Sequence, residues 1–552
     1  MTRTRRKRRR GHGDRPAGNA DPVGPVEVEL KLDVLDAAAA RGLVEADTVA
    51  GLTALGPPVV INSVDRYIDT PSGGLRHAGW VARLRSTDAT DDVVLAVKST
   101  ARRSSGAVHR RDELEGPALP DLPPAEWPES PARDRLLALS EGQALDTVIV
   151  LSQRRRQRRF GDGVFEVELS LDRVKTIIGE RVADRSTVLE AELVSGPEER
   201  LAELGTALLA RSFLVEAAAS KLERAFAAEK RARLRATLPD PAKVKSAGVK
   251  ADDLLSEAGR RILALQFARM LAREPAARSG RDPEDLREMR VATRRMLAAW
   301  EVFGDAFDPA ATRPLRLHLR TLASALGAVR DIEMLVDSIL AARSTLPTED
   351  AEALGLIVDA LRPERDVARI DLLRLLSRPT HRRWVERSVA FLSTPGVAVA
   401  STDANAPRHV RDTMPSRTWL AFERVRSYRD ALPWADVPTL HALRREAKRL
   451  RYALEFIGES LGPELPELIG RIVVLQDHLG QLNDAAVAAD RTRQWLVDQG
   501  ADAGAPEREA IGRFLMDRER EVARLRRSAS RPWAALDSAT FRRRLGRALA
   551  NL

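Results

Sequence analysis

Cysteine is absent from the chain. Its absence excludes disulfides, thiolate metal sites and a cysteine nucleophile. Aromatic residues make up 4% of the 552 positions. A groove that holds single-stranded nucleic acid by stacking needs aromatic platforms among its cations, so this scarcity argues against one. No apolar run is long enough to cross a bilayer. The chain starts MTRTRRKRRRGHG, but no apolar core follows these charges as a secretory leader requires. A Walker-type phosphate loop is missing. So are helix-turn-helix, zinc and aromatic ribonucleoprotein signatures.

What the chain has in quantity is charge. Lysine and arginine number 90 and aspartate and glutamate 80, a formal net charge of +10. An excess of positive charge points to an acidic partner: nucleic acid, an anionic membrane surface or a phosphate polymer. Apolar residues at 44% are enough for ordinary cores. The length suggests three or four domains of about 150 residues each. Residues 1–24 read as a disordered basic tail, either a nonspecific polyanion contact or a solubilising leader. With neither leader nor span, the expected location is cytoplasmic.

Residues 26–32, VEVELKL, alternate apolar and charged with period two, the pattern of a half-buried strand. Glu27, Glu29 and Lys31 then share one face. Two carboxylates and an ammonium on one face suit a divalent cation with an anion beside it. A solvated strand face gives the same pattern. A short helix is expected over 35–50, then a strand over 59–68 and a turn at 69–74. Strands at 80–86 and 93–99 present Arg83 with Arg85, and Lys98. A strand at 108–115 presents Arg111, Glu113 and Glu115. After a Pro-rich stretch at 116–135, strands resume at 147–160, 164–172 and 188–194. They carry the basic run QRRRQRR, then Glu166, Glu168, Ser170 and Asp172, then Glu190 and Glu192. At least six strands therefore bear charge at period two, acidic and basic mixed. If the sheet closes into a barrel, its lumen would offer carboxylates to a metal and cations to phosphate oxygens. An ordinary sheet with one wet face is the alternative.

These residues resemble a known family. Glu27-x-Glu29-x-Lys31 is similar to the ExExK signature of the CYTH, or triphosphate tunnel metalloenzyme, family. Tyr67-Ile68-Asp69-Thr70 is similar to its Y-x-D-T, Arg83-Leu84-Arg85 to its R-x-R, and Lys98 to its strand lysine. Arg111-x-Glu113-x-Glu115 resembles its R-x-E-x-E, Glu190-Ala191-Glu192 its late E-x-E, and Ser220-Lys221 its closing S-K. The resemblance implies an eight-stranded antiparallel tunnel that hydrolyses triphosphate with Mg²⁺ or Mn²⁺. It implies Glu27, Glu29, Glu190 and Glu192 as metal ligands or water-orienting groups, and with Lys31 as the catalytic set. It implies Lys31, Arg83, Arg85, Lys98, Arg111 and Lys221 as the phosphate clamp. Glu113 and Glu115 belong either to the metal shell or to an ion-pair network. The parity of the basic strand is open, and Arg154 and Arg156 are assigned to its phosphate-facing side.

Residues 216–236 read as a helix that the Pro-rich 238–242 ends. From about 250 the chain reads as helical almost throughout, with breaks near 274–283, 345–349 and 500–506 and a long flexible loop at 394–416. An internal repeat is visible. LREMRVATRRMLAAWEVFG (286–304) aligns with LHALRREAKRLRYALEFIG (440–458), pairing Arg287 with His441, Arg290 with Arg444, Arg294 with Lys448 and Arg295 with Arg449. Downstream, Gly327 and Asp331 align with Gly480 and Asp484. In the second copy Leu440, Leu443, Ala447, Leu450 and Leu454 form an apolar stripe. His441, Arg444, Lys448 and Arg451 form a basic stripe beside it. Two such stripes face to face would make a cationic groove, whereas two separate helices laced with ion pairs would not.

Residues 282–295 and 440–455 resemble the two signatures of the CHAD domain, a helical domain named for its histidines. The first-copy histidine is Arg287 here, which keeps the charge but removes a ligand. The resemblance implies that Arg287, Arg290, Arg294, Arg295, His441, Arg444, Lys448, Arg449 and Arg451 bind inorganic polyphosphate. Asp331 and Asp484 are expected to orient arginines or cap turns.

The expected fold is multidomain α+β: a tail (1–24), an eight-stranded antiparallel β tunnel (25–235), a linker (236–249) and an all-α domain of two pseudo-symmetric helical bundles (250–552). The expected function is metal-dependent hydrolysis of triphosphate or polyphosphate ends, with polyphosphate held by the helices. Within the cytoplasm, association with polyphosphate granules is the expectation. The alternatives are a non-catalytic polyphosphate binder, a nucleotide or thiamine triphosphatase, and a class IV-type adenylate cyclase.

Overall fold

The computed structural model describes residues 26–552 apart from 101–102, 106–107, 180, 218, 280–281, 345, 402, 404–405 and 501–502. The basic tail therefore lies outside the described residues. The chain divides into two compact units, Met1–Ala225 and Phe226–Leu552. The division falls inside a helix, Lys221–Arg235, ahead of the Pro-rich break at 238–242.

Period-two charge turns into a closed sheet in the first unit. Its main strands are β1 (Val26–Val34), β2 (Val59–Asp69), β3 (Trp80–Thr87), β4 (Val93–Ser99), β5 (Val108–Ala118), β6 (Asp146–Gly161), β7 (Glu166–Ile178) and β8 (Arg181–Ser195). Every neighbouring pair is antiparallel, in the order β1-β5-β4-β3-β2-β6-β7-β8, and β8 returns to β1. Eight strands close the ring, which leaves it no free edge. Four short strands outside the ring, Thr48–Val49, Leu52–Ala54, Arg103–Ser105 and Leu214–Glu216, were not expected.

The usual alternation is inverted. Apolar residues of the strands point outwards and are covered by helices. Val28, Leu30 and Leu32 of β1 pack with Ala40 and Val44 of α1 (Ala37–Glu45) and with Leu201, Leu204 and Leu208 of helix Glu198–Leu209. On another part of the ring Leu84, Leu95 and Val97 pack with Ala132 and Leu136 of helix Pro131–Ser140. Helix α1 is shorter than the 35–50 span. Asp36 caps its start by accepting from the Ala38 and Ala39 amides, and residues 48–54 form a hairpin through Ala50 and Gly51, both at positive φ.

The second unit is helical: α2 (Leu255–Ser279), α3 (Pro283–Phe303), α4 (Pro309–Arg343), α5 (Thr348–Ser377), α6 (Pro379–Ser393), α7 (Val410–Arg426), α8 (Val437–Phe456), α9 (Leu465–Asp498) and α10 (Ala505–Ser528), then two short helices. The repeat is α3–α4 and α8–α9. Both first helices begin alike, with an aspartate cap, Asp282 or Asp436, and a proline in the first turn. Their apolar stripes meet in one continuous core, Leu286 and Met289 with Leu440 and Leu443. The loop expected at 394–416 is shorter. Bridges Phe307↔Val399 and Leu254↔His409 tie it down, and α7 starts at Val410 with Pro415 inside it. Helix α2 runs through Pro275 and ends at Ser279, within the break expected near 274–283.

Gly196, just after β8, sits at φ +106°, and a Cβ there would lie 2.6 Å from the Val164 carbonyl oxygen. Gly196→Ala is expected to destabilise the sheet unit by about 1–3 kcal/mol, the cost of a strained backbone position. Urea unfolding checks this, and an unchanged midpoint would contradict it.

Candidate functional site

The inward face of the ring surrounds a cavity of about 690 Å³. Seven of the eight strands, all but β7, contribute residues to it, mostly at alternate positions. Strand β1 supplies Glu29 and Lys31, which stand directly across from Glu192 and Glu190 of β8. Arg83 and Arg85 come from β3, Lys98 from β4, Glu113 and Glu115 from β5. Lys221 enters from helix Lys221–Arg235. The side chains of Glu27 and Arg111 lie outside the described residues, and only their strand positions are given, with Glu27 paired to Arg111.

Strand β6 answers the parity question, and the answer corrects the assignment of Arg154 and Arg156. Its cavity-facing residues are Gln153 and Arg155. Arg154 is exposed. Arg156 lies on that other face and pairs with Glu45 of α1 at 2.5 Å. Register decides this: Arg155 stands opposite Asp172 of β7, which is fully buried.

Three ion-pair groups line the cavity. Around Glu190, Lys221 Nζ lies at 2.8 Å and Arg155 at 2.9 Å from Oε2, and Lys31 Nζ at 3.5 Å from Oε1. Arg155 also binds both oxygens of Asp172, at 2.9 and 2.8 Å, and Lys221 contacts Asp172 as well. Around Asp65, Arg85 donates to both oxygens at 2.7 and 2.9 Å, and Gln153 Nε2 donates at 2.5 Å. Around Glu113, Lys98 lies at 2.5 Å and Arg83 at 3.6 Å, with Glu115 4.0 Å from Arg83. Glu113 and Glu115 thus sit in the ion-pair network. Lys31 also pairs with Glu29 at 2.6 Å.

Electrostatics follow from this packing. Burial on its own would raise the Glu190 carboxyl, but Lys221, Lys31 and Arg155 outweigh it and hold it well below the usual carboxylate range. Burial opposes ionisation of Asp65 too, and the Arg85 hydrogen bonds with the charges of Arg83, Arg85 and Lys221 reverse the sign. Arg83 Nε is buried and has no hydrogen-bond acceptor. Asp65, Tyr67, Gln153, Arg155 and Asp172 are site residues that the sequence reading missed as such. Asp65 and Tyr67 were findable, being two apart on one strand, whereas Arg155 needed the β6–β7 register.

Donor chemistry at the acidic end suits a hard cation, because every candidate ligand is a carboxylate. Glu29 and Glu192, directly opposed across β1 and β8, are the described pair that would share such an ion. Among the described residues no group of three or more metal-ligating side chains is preassembled.

A second charged locus lies in the helical unit. Lys448 and Arg444 of α8 lie within electrostatic reach of Arg290 and Arg294 of α3, with Arg451 adjoining. The two basic stripes therefore face each other. Burial and then Arg294, Arg444, Arg290 and Arg451 push the Lys448 ammonium down to about 7. Acidic relief is peripheral: Asp331 accepts from Arg290 at 3.1 Å, and Asp484 and Asp477 act on Arg444. A Cβ at Gly480 would come within 3.3 Å of the Arg444 guanidinium, while one at Gly327 would meet nothing. The remaining candidates are engaged by carboxylates or an amide, some on their own helix and some across from α3 to α8. Arg287 pairs with Glu284, Arg295 with Glu455, and Arg449 with Glu446 and Glu301. His441 Nδ1 lies 2.7 Å from Asn483 Oδ1.

A closed ring with charge inside, followed in the chain by a duplicated helical hairpin with facing cations, defines a tunnel domain and a helical domain. Comparison with known families names both: the chain carries a CYTH domain, matched over residues 26–226, and a CHAD domain, matched over 261–493. Similar solved structures include PptA from Streptomyces chartreusis, 20% identical, covering 51% of this chain and 100% of that one with a TM-score of 0.43. The CHAD domain from the plant Ricinus communis is 24% identical, covering 54% and 93%, with a TM-score of 0.41. HpAC1 from Hippeastrum, a protein with a dominant triphosphatase activity, is 21% identical, covering 36% and 94%, with a TM-score of 0.29. No curated protein matches. No helix among the described residues is long and apolar enough to cross a membrane.

Glu190 and Asp65 have folded-state values below the ordinary 4.5 and 3.8. Each therefore contributes stability that is complete above its unfolded value and is lost as pH falls through the folded one. The unfolding midpoint of the sheet unit is expected to hold above about pH 5 and to fall below it. Glu190→Gln should show a shallower acid decline, and an acid profile identical to wild type would refute the assignment.

Proposed function

We propose that the tunnel hydrolyses inorganic triphosphate, or the terminal phosphoanhydride of a polyphosphate, with a divalent metal, and that the facing basic stripes of the helical domain hold inorganic polyphosphate. The observation that carries this reading is the lining of one closed cavity by Lys31, Arg83, Arg85, Lys98, Arg155 and Lys221 interleaved with carboxylates. A simple anion receptor has no use for those acids, whereas metal-assisted phosphoryl transfer needs both signs.

Division of labour follows from position. Arg85, held on two sides by Asp65, is a fixed guanidinium able to grip a phosphate oxygen. Arg83 has a buried Nε donor without an acceptor, which an anionic oxygen would satisfy. Lys31, Arg155 and Lys221, shared around Glu190, would turn to a polyanion as it enters. Glu29 and Glu192, with Glu27, would hold Mg²⁺ or Mn²⁺. When bound, such an ion polarises the phosphoryl group and lowers the pKa of a water. Tyr67 is the single aromatic among the described cavity-lining residues. That leaves little surface to stack a base and favours an inorganic substrate over a nucleotide or a cyclase reaction.

Phosphate release from tripolyphosphate, ATP and long-chain polyphosphate, with Mg²⁺, Mn²⁺ or EDTA, tests the reading. Metal-dependent turnover fastest on tripolyphosphate is expected. Selective turnover of ATP would favour the nucleotide alternative, and none on any substrate would leave a binding protein on an enzyme's fold. Glu29→Gln is expected to lower turnover about 100-fold or more while long-chain polyphosphate still binds. Retained activity would remove Glu29 from the metal site. For the helical domain, Arg444→Ala with Lys448→Ala is expected to weaken long-chain binding and to flatten its salt dependence, as lost phosphate contacts do. Unchanged affinity would place the binding surface elsewhere.

A further inference from the structure

The outer face of the ring changes character along its length. At one end it is apolar and covered: Leu169 and Leu171 of β7 and Leu189 and Ala191 of β8 lie in the core under helices. Two and four residues beyond Leu171, on the same face of β7, stand Arg173 and Lys175, both exposed. In the ladder Arg173 is directly opposite Arg154 of β6, and Lys175 is directly opposite Arg185 of β8. Arg154 and Arg185 are exposed as well. Arg66 of β2, half-buried, alternates with the inward Asp65 and Tyr67 and so joins this face. Like charges directly opposite one another weaken a sheet. Among the described residues no acid pairs with any of these five cations. Further along the same face of β6 the arginines are satisfied. Arg156 pairs with Glu45, and Arg158 with Asp47 and three backbone carbonyls. Asp184 stands opposite buried Thr176, on the other face. At the margin, Asp88 is engaged by Asn62, which stands opposite Arg154.

We propose that this bare outer face, formed by Arg66, Arg154, Arg173, Lys175 and Arg185, is a binding site for long-chain inorganic polyphosphate, separate from the lumen. An ordinary solvated surface mixes both signs of charge, and this one carries a single sign at unpaired positions. A polyanion lying on it would remove the cross-strand repulsion and release its own counterions. Curvature selects the kind of polyanion. Strands β2, β6, β7 and β8 are consecutive in a ring of eight, so the cations are spread over half its circumference. A flat lipid surface meets only part of such a face, whereas a flexible chain follows it. Neighbouring strands lie about 5 Å apart and alternate residues about 7 Å apart along a strand, a close grid of cations for a chain charged at every phosphorus. Between the cations stand Val64, Val150, Ser152 and Thr187, none of them a ring on which a base could stack. Contact is therefore to charge alone. The inference shares its ligand with the function proposed above but neither of its sites.

Lys175 is the one amine of this face, so it reports occupancy directly. The test labels the full chain with an uncharged amine-reactive ester, with and without long-chain polyphosphate, and follows each lysine by peptide mass spectrometry. Polyphosphate is expected to slow labelling of Lys175 about fivefold or more at low salt, and the protection should fade as salt rises. Lys243 and Lys245, exposed residues of the second unit, should be protected far less. Tripolyphosphate at equal phosphate concentration, too short to follow four strands, should protect Lys175 weakly. Arg154→Gln with Arg173→Gln and Arg185→Gln should abolish the protection, and the wild-type comparison of long and short chains stands whether or not that variant folds. No protection at Lys175, equal protection of every lysine, or protection that survives in the triple variant overturns the inference. So does stronger protection by single-stranded RNA of equal charge or by anionic lipid vesicles, which would give the face to another partner. Turnover of tripolyphosphate without protection of Lys175 sinks this inference alone, and protection without turnover sinks the hydrolytic reading alone.

Discussion

Charge enclosed by a closed sheet has to be neutralised, and the first unit is built around that constraint. With hydrophobic residues turned outwards under helices, the ring interior receives charged residues from the alternate positions of most strands. Buried carboxylates and ammonium groups are tolerable only when paired and hydrogen-bonded. The pairing around Glu190, Asp65 and Glu113 meets the requirement. It also leaves the lumen stocked with both signs in fixed positions. The stability of the ring and the chemistry of its interior therefore rest on the same contacts.

The helical unit handles charge in the opposite way. Its facing stripes have few acids between them, so the cations repel one another and are partly desolvated together. Such an arrangement is unfavourable for the free protein. It is offset by the continuous apolar core under both stripes, where Leu286 and Met289 meet Leu440 and Leu443. A polyanion would remove the repulsion, so the cost in the unliganded state becomes affinity in the bound one.

Much of this was legible in the sequence, for physical reasons that differ between the halves. Period two placed Glu29, Lys31, Arg83, Arg85, Lys98, Glu190 and Glu192 on inward faces, because a strand has two faces and the apolar neighbours declare the other one. The same rule failed at β6, where QRRRQRR has no apolar residue to mark a face. Only the pairing of Arg155 with Asp172 across β6–β7 decides between odd and even positions, and that contact is far apart in sequence. The repeat in the helical half was visible as a constant shift, and helical spacing set Arg290, Arg294, Arg444 and Lys448 on one stripe each. That Arg287 and Arg449 are engaged by Glu284 and Glu446 on their own helices could not be read from spacing, since side chains at three- and four-residue intervals compete for both partners, and the pairs Arg295–Glu455 and Arg449–Glu301 join α3 to α8, which no local spacing shows.

The two halves of the repeat are not interchangeable, although their sequences align. At Gly480 the Arg444 guanidinium lies so close to α9 that a methyl group would crowd it, and at Gly327 the same position faces open space. One glycine has become a seat for a side chain and the other has no neighbour to accommodate. The two hairpins align in sequence, yet their glycines meet different surroundings. The second copy fixes its arginine by shape and keeps a titratable amine, whereas the first provides permanent charge alone. Symmetry here is an inheritance that the working site has already given up.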